Sequence, residues 1–314
     1  MKRSAKTAMK RGLFRLSRFG SKLGIHITPR HFYSSQPDID DLRRTQDEWR
    51  YASDLPGIHV DLDEQARNLQ DMVAPFESEY RGNTAFLHGV ANQYGPGYGY
   101  IEAQAIHGVV RSVKPRRIIE VGSGVSTHCM LTALALNEKD GGPAAEMTCV
   151  EPFPSSWLRD SKDIRLIPQK VQTVDTATFE ELEEGDLLFI DSSHTVKPGS
   201  DVNHLFLEVL PRIKPGVYIH VHDITLPYDY GRSVLKTMLH WSETSLLRAY
   251  LTQNDHVGIV FCLSHLFYER PDMLKQVFPE FTPQPANNGL HEDHVKPFAH
   301  PEGHFPSSIY LRTR

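Results

Sequence analysis

Ile118-Ile119-Glu120-Val121-Gly122-Ser123-Gly124-Val125-Ser126-Thr127 is the stretch that decides the fold. Its first part is a short, mostly apolar run from Arg117 to Val121, which suits a buried strand. Two glycines follow, and after them a helical pattern opens over 126–137. Strand, glycine turn and helix in that order place amide donors at a helix N-terminus, where negative charge is welcome. Glycine also lets a ligand approach the backbone closely. Taken alone, the turn fits any nucleotide-binding α/β fold or a purely structural turn.

The same alternation continues downstream. Strands are expected over Met147–Val150, 164–174, Asp186–Ile190, Val217–Val221, His256–Leu263 and Ser308–Leu311. Helices are expected over 200–212 and 232–252, the first closed by Lys214-Pro215-Gly216. Continuous apolar strands between helices imply a mainly parallel sheet covered on both faces. Upstream, 61–82 and 101–113 carry apolar residues at three- and four-residue steps, which reads as helix. Between them, Asn92-Gln93-Tyr94-Gly95-Pro96-Gly97-Tyr98-Gly99-Tyr100 excludes a helix and suits an adaptable loop at a binding mouth. The division that follows is a basic arm over 1–30, a helical extension with a substrate-side loop over 31–113, and an α/β domain over 114–314.

Ligands of open α/β sheets bind beyond the carboxyl ends of the strands. The polar residues at those ends should therefore converge: Glu120 to Gly124, Glu151, Asp191 to His194, and His222-Asp223. Glu120, two residues before the first glycine, would suit a ligand bearing an ammonium group. Glu151 ends the second strand, where a carboxylate can accept both hydroxyls of a ribose. Charge-assisted hydrogen bonds of this kind contribute about 1.5–3 kcal/mol each. Thr127 stands where a dinucleotide fold prefers a third glycine. An NAD-dependent oxidoreductase is the alternative enzyme class, and Glu120 and Thr127 both count against it. A non-catalytic protein that kept the fold is the other alternative.

Glu120-Val121-Gly122-Ser123-Gly124 and Val150-Glu151-Pro152 resemble the first two motifs of the class I S-adenosylmethionine-dependent methyltransferases. Phe189-Ile190-Asp191-Ser192-Ser193-His194, Leu210 to Gly216, His220-Val221-His222-Asp223-Ile224 and Leu226 to Tyr230 resemble the methyltransferase-24 branch of that class. The resemblance runs from about Gly24 to the C-terminus. It implies a Rossmann-like, doubly wound, seven-stranded and mostly parallel sheet whose last strand is antiparallel. It implies S-adenosylmethionine as methyl donor, held by Glu120, Gly122, Ser123, Gly124, Ser126, Thr127, Glu151 and Asp191. The expected activity is O-methylation of a small molecule or saccharide.

Histidine titrates near neutral pH, so His194 and His222 are the candidate bases. His194 is preferred because it follows the fourth strand, with Asp191 to orient it. Tyr98, Tyr100 and Tyr228 are expected to line the acceptor pocket. Catechol-type relatives hold magnesium with carboxylates after the fourth and fifth strands, and Asp191 and Asp223 occupy comparable places. Two carboxylates plus waters suit a hard cation, whereas His194 and His222 would suit zinc or iron; the favoured expectation is that no metal is bound, His220 packing under a helix and His222 hydrogen-bonding the chain. His291, His294, His300 and His304 match no standard zinc spacing and read as a loop.

Charge is uneven along the chain. Nine of the 34 bases and none of the 39 acids fall in the first thirty residues. Leu13, Phe14, Leu16 and Phe19 lie among them at roughly helical spacing. A basic amphipathic arm on an acidic body suggests an anionic contact, for which a membrane surface rather than nucleic acid is the candidate; a solvated or packed helix that is merely basic is the favoured alternative. No apolar run is long enough to span a bilayer. Cys129, Cys149 and Cys262 are odd in number and unpaired by spacing, so buried thiols and a cytoplasmic, reducing location are expected.

Overall fold

A computed structural model describes residues 2–25, 27–31, 33–95, 97–291 and 305–314, with side chains from residue 11 onward. The chain divides into two units, one of residues 51–234 and 241–314, the other of 1–50 and 235–240. The expected boundary at 113/114 is therefore not where the structure divides. The helices from 62 to 113 pack into the same unit as the sheet.

In the smaller unit, α1 spans Lys2–Lys22, and two short helices cover Ile39–Arg44 and Gln46–Trp49. Asp38 caps the first of these by accepting from the amides of Asp40 and Asp41. Along α1, Leu13, Phe14, Leu16 and Phe19 are all exposed. No described helix is long and apolar enough to cross a membrane.

In the larger unit, α2 (Leu62–Val73), α3 (Thr84–Ala91) and α4 (Tyr100–Val113) precede the sheet. The strands are β1 (Arg117–Val121), β2 (Glu146–Val150), β3 (Arg165–Ile167), β4 (Leu187–Ile190), β5 (Tyr218–Val221), β6 (Val257–Cys262) and β7 (Ile309–Thr313). They lie in the order β3-β2-β1-β4-β5-β7-β6, and only β7 runs antiparallel to its neighbours. This is the expected seven-stranded, doubly wound sheet, and its strand order reverses between β1 and β4. Alternation along β1 explains the two cores. Ile118 faces a cluster with α4 and α5 (Val125–Lys139), while Ile119 and Val121 face the opposite cluster with Leu205, Phe206 and Leu247.

Two expectations change. The helix over 200–212 is continuous, but its middle, Leu205–Val209, is a π-turn and its end, Leu210–Arg212, a 3₁₀ turn. The helix over 232–252 shrinks to α6, Glu243–Leu251. Met238 and Leu239 are exposed, so that part of the pattern has no apolar face to bury and no packing to hold it helical. The three cysteines are buried and free.

Helix α4 is anchored by charge as well as by packing. Arg111 donates to both carboxylate oxygens of Glu79 at 2.7 and 2.9 Å, to Asn137 Oδ1 and to Asp140 Oδ2. Its side chain is buried while those of Glu79 and Asp140 remain partly in solvent. Truncating a buried partner costs about 3–5 kcal/mol, and solvent on the acids reduces this. Arg111→Ala should lower unfolding free energy by about 2 kcal/mol in urea titration; an unchanged midpoint would show that the network contributes nothing.

Candidate active site

The glycine turn is built around one buried carboxylate. Glu120 is fully buried at 0% exposure. It accepts from Ser126 Oγ at 2.7 Å and Thr127 Oγ1 at 2.5 Å, with Cys149 Sγ at 3.4 Å. Thr127 Oγ1 in turn accepts from the amide of Gly124 at 2.9 Å, tying the turn to the first turn of α5. Burial pushes the Glu120 carboxyl up to about 7, opposed by the hydroxyl donors.

Gly122 shows why the turn must be glycine. Its φ is +81°, and a Cβ there would sit 1.8 Å from the carbonyl oxygen of Asp191. The turn after β1 and the end of β4 are thus pressed together, backbone on backbone. The amide of Asp191 donates to Val121 O at 2.8 Å.

That closeness creates one cavity of about 690 Å³ across the strand ends. Gly122, Ser123, Gly124, Ser126, Glu151, Asp191, His194, His222 and Asp223 line it, together with Gly97, Phe153 and Trp241. Glu151 accepts from the amides of Ser123 (3.3 Å) and Phe153 (2.7 Å), which fixes its carboxylate beside the turn. The polar strand ends converge as topology requires.

Several expected residues do not line the cavity. Glu120 and Thr127 face inward beneath the turn, because the open α5 N-terminus supplies their partners; they shape the site rather than contact a ligand. Tyr98, Tyr100 and Tyr228 are buried elsewhere. Tyr98 packs under β4 and β5, its ring 5.0 Å from His222, and Tyr100 begins α4 with its hydroxyl on Glu280. Tyr228 packs against Tyr268 at 4.8 Å. The glycines around the first two tyrosines lead the chain into a buried helix rather than leaving the rings at a mouth. Only Gly97 of that loop reaches the cavity among its described residues.

At the other end of the cavity, four side chains meet. Asp191, His194, His222 and Asp223 each offer an atom within 4.8 Å of the others. His194 Nε2 lies 3.2 Å from Asp191 Oδ1 and 3.4 Å from Asp223 Oδ2. His222 Nδ1 lies 3.3 Å from Asp191 Oδ1 and 3.5 Å from Asp223 Oδ2. Each ring's other nitrogen meets a further carboxylate: His194 Nδ1 is 2.7 Å from Glu243 Oε2, and His222 Nε2 is 3.4 Å from Glu102 Oε1. His194 and Asp223 both hold left-handed backbone, φ +56° and +54°. Non-glycine residues adopt this region uncommonly.

Electrostatics follow from this geometry. Burial alone would lower His194, but the hydrogen bonds its ring donates to Asp191 and Glu243, with the charge of Asp223, push it up to about 10. His222 is likewise held well above its ordinary value despite burial, by Asp223, Asp191 and Glu102. Burial would raise Asp191, yet the two imidazoles hold it below the usual carboxylate range. Neighbouring carboxylates favour the protonated form of both rings, which counts against either acting as a general base in the absence of a further ligand. His220, on the same face, differs: it stacks on Phe189 at 4.2 Å, and burial drops it to about 3.

The sequence reading missed Glu102, Glu243 and Trp241. Glu102 left a signal, a carboxylate inside a helix that is otherwise apolar or neutral where it enters the core. Glu243 and Trp241 left none, because they were placed within a long helix that does not form there. His294, His300 and His304 lie outside the described residues.

Comparison with known proteins bears on this arrangement. Residues 119–224 match a family model described as a methyltransferase domain. The chain is 31% identical over 182 residues to an uncharacterized protein of Archaeoglobus fulgidus, spanning 55% of this chain and 80% of that one. Similar solved structures include the O-methyltransferase TomG of Streptomyces achromogenes in complex with SAM. It shares 16% identity, covers 64% of this chain and 82% of that one, and gives a TM-score of 0.36. An O-methyltransferase of Bacillus cereus in complex with SAH shares 14% identity over 62% and 87%, with a TM-score of 0.39.

The raised Glu120 carboxyl makes a prediction about stability. A carboxyl that binds its proton more tightly folded than unfolded favours folding at low pH. That advantage is lost as pH rises from about 4.5 through about 7. Wild-type stability relative to Glu120→Gln should therefore fall between pH 5 and pH 8, a window set by those two values. Paired thermal melts at the two pH values would test it, and a constant difference would refute it.

Proposed function

We propose that this chain, which belongs to the class I methyltransferase family, transfers the methyl group of S-adenosylmethionine to an oxygen of a small molecule or saccharide. The observation that carries the reading is the single cavity shared by the glycine turn, Glu151 and the Asp191–His194–His222–Asp223 cluster. One end of it suits the cofactor, and the other suits an acceptor hydroxyl.

Ser123, Gly124 and the α5 N-terminus would receive the amino-acid end of the cofactor, where exposed amides suit its carboxylate. Glu151, fixed by two amides, would accept from the ribose hydroxyls. Phe153 and Val171 offer apolar surface for the base at the same edge. Asp191 lies between the two ends of the cavity. The acceptor hydroxyl would lie against the cluster beside Trp241, whose ring is 4.7 Å from that of His194.

The reaction is an in-line displacement. The acceptor oxygen forms a bond to the methyl carbon, the carbon–sulfur bond breaks, and its electron pair stays on sulfur. The acceptor proton leaves to solvent. The chain's own contribution is alignment of oxygen and sulfonium, where orientation is worth most. The buried carboxylates add a negative field that favours the cationic cofactor. An NAD-dependent reading finds no support in the turn, where Thr127 is locked between Gly124 and Glu120 rather than leaving room for close helix packing.

We also infer that α1 rests on an anionic lipid surface. Leu13, Phe14, Leu16 and Phe19 are exposed amid Arg11, Arg15, Arg18 and Lys22, a pattern that pairs apolar insertion with charge attraction.

Each inference has a direct measurement. Glu151→Ala should weaken S-adenosylmethionine binding about tenfold or more in calorimetry, given the size of charge-assisted hydrogen bonds. Unchanged affinity would remove Glu151 from the ribose site. The full chain should float with phosphatidylglycerol vesicles and not with phosphatidylcholine vesicles, and Phe14→Asp with Phe19→Asp should abolish flotation. Equal recovery with both lipids, or no effect of the substitutions, would rule the arm out as a lipid contact.

A further inference from the structure

The cluster at the end of β4 and β5 has more structure than holding a hydroxyl requires. Four N···O separations between its histidines and aspartates fall between 3.2 and 3.5 Å. One donor atom from each of the four side chains lies within 4.8 Å of every other, close enough for a single ion to reach them all.

Hydrogen bonding gives a second, independent indication. His222 is only 6% exposed, and neither of its ring nitrogens has a hydrogen-bond partner of acceptable geometry. Its Nδ1 is aimed between the two aspartates without bonding well to either. A buried imidazole in that condition is unsatisfied unless something else occupies its lone pair.

Carboxylates behind the rings point the same way. Glu243 meets the far nitrogen of His194, and Glu102 faces the far nitrogen of His222. Metal-ligating histidines characteristically present their second nitrogen to a carboxylate, which fixes the tautomer and aims the ring. Glu102 is itself held by the amide of Ser307 at 2.7 Å, and Glu243 is near Ser192 Oγ at 3.3 Å.

We propose that Asp191, His194, His222 and Asp223 bind one divalent transition-metal ion of the zinc, iron or cobalt kind, with a coordination position open to the acceptor oxygen. Two imidazoles favour such an ion over magnesium, which prefers oxygen donors and retained waters. All four donors line the cavity, so the open position faces the place proposed for the acceptor. A bound ion of this kind lowers the pKa of a coordinated hydroxyl. Glu243 and Glu102 are positioning residues that aim the two rings. The use of the ion rests on the methyl-transfer reading; its binding does not.

Cobalt(II) is the probe, because its visible absorption reports nitrogen ligation and low coordination number directly. The full-length chain, stripped by chelator and dialysed, should take up one equivalent of cobalt(II) with visible d–d bands. Zinc(II) should then bleach them, while excess magnesium should not. His222→Ala and, separately, His194→Ala should lose the bands, with circular dichroism confirming the fold. Glu243→Gln keeps the shape of the residue and should weaken binding about 10–100-fold. Absence of d–d bands in the wild-type chain, or bands retained in both histidine variants, would overturn the proposal. Displacement of cobalt by magnesium would overturn the transition-metal assignment. Calorimetry with S-adenosylmethionine on the same samples separates the two readings. Cofactor binding without cobalt binding leaves methyl transfer standing alone, and cobalt binding without cofactor binding leaves the metal centre standing alone.

Discussion

The missing side chain of Gly122 is the constraint on which the rest of the site depends. Because nothing projects from that Cα, the turn after β1 rests directly on the backbone of Asp191 at the end of β4. Any larger residue would push the two strand ends apart at the point where strand order reverses. The cavity exists because these ends touch: the glycine turn supplies one wall, and the chain running from Asp191 to His194 supplies the opposite one. The left-handed backbone of Gly122 costs little, since glycine alone adopts it freely.

Two buried carboxylate systems flank that contact and solve different problems. Glu120 sits beneath the turn, where burial raises its proton affinity and the hydroxyls that satisfy it oppose the rise. It holds the turn's shape from behind. Asp191 and Asp223 sit beyond the strand ends among imidazoles, an environment that keeps carboxylates charged. Less than 1% of the surface of the first carboxylate residue is open to solvent, whereas the second pair opens onto the cavity. The first is architecture; the second is available to a ligand.

The N-terminal helices take part in this arrangement. Helix α4 carries Glu102 to the back of His222, and the loop before it places Gly97 in the cavity wall. The amphipathic pattern of 101–113 identifies the helix but not its role, because three- and four-residue steps describe which face is buried and not against what. The same limit explains Tyr98 and Tyr100. A glycine-rich aromatic segment reads as an exposed mouth, yet the packing of α4 under the sheet carries both rings into the core.

The sequence by itself determined the alternation of strands and helices, the glycine turn, and the presence of Glu151, Asp191, His194, His222 and Asp223 at strand ends. These are local patterns or consequences of topology, since parallel strands deliver their carboxyl ends to one edge. Tertiary structure alone decided that Glu120 and Thr127 face inward and that Glu243 and Glu102 stand behind the two histidines. It also decided that the segment before Glu243 leaves the helix, so that Trp241 enters the cavity. The carboxylates behind the histidines depend on distances between residues tens of positions apart, 49 for His194 and Glu243, for which no periodicity leaves a trace. The state of the histidines belongs to the same class. Their type suggested a base, but the charges gathered around them by folding set what they can do.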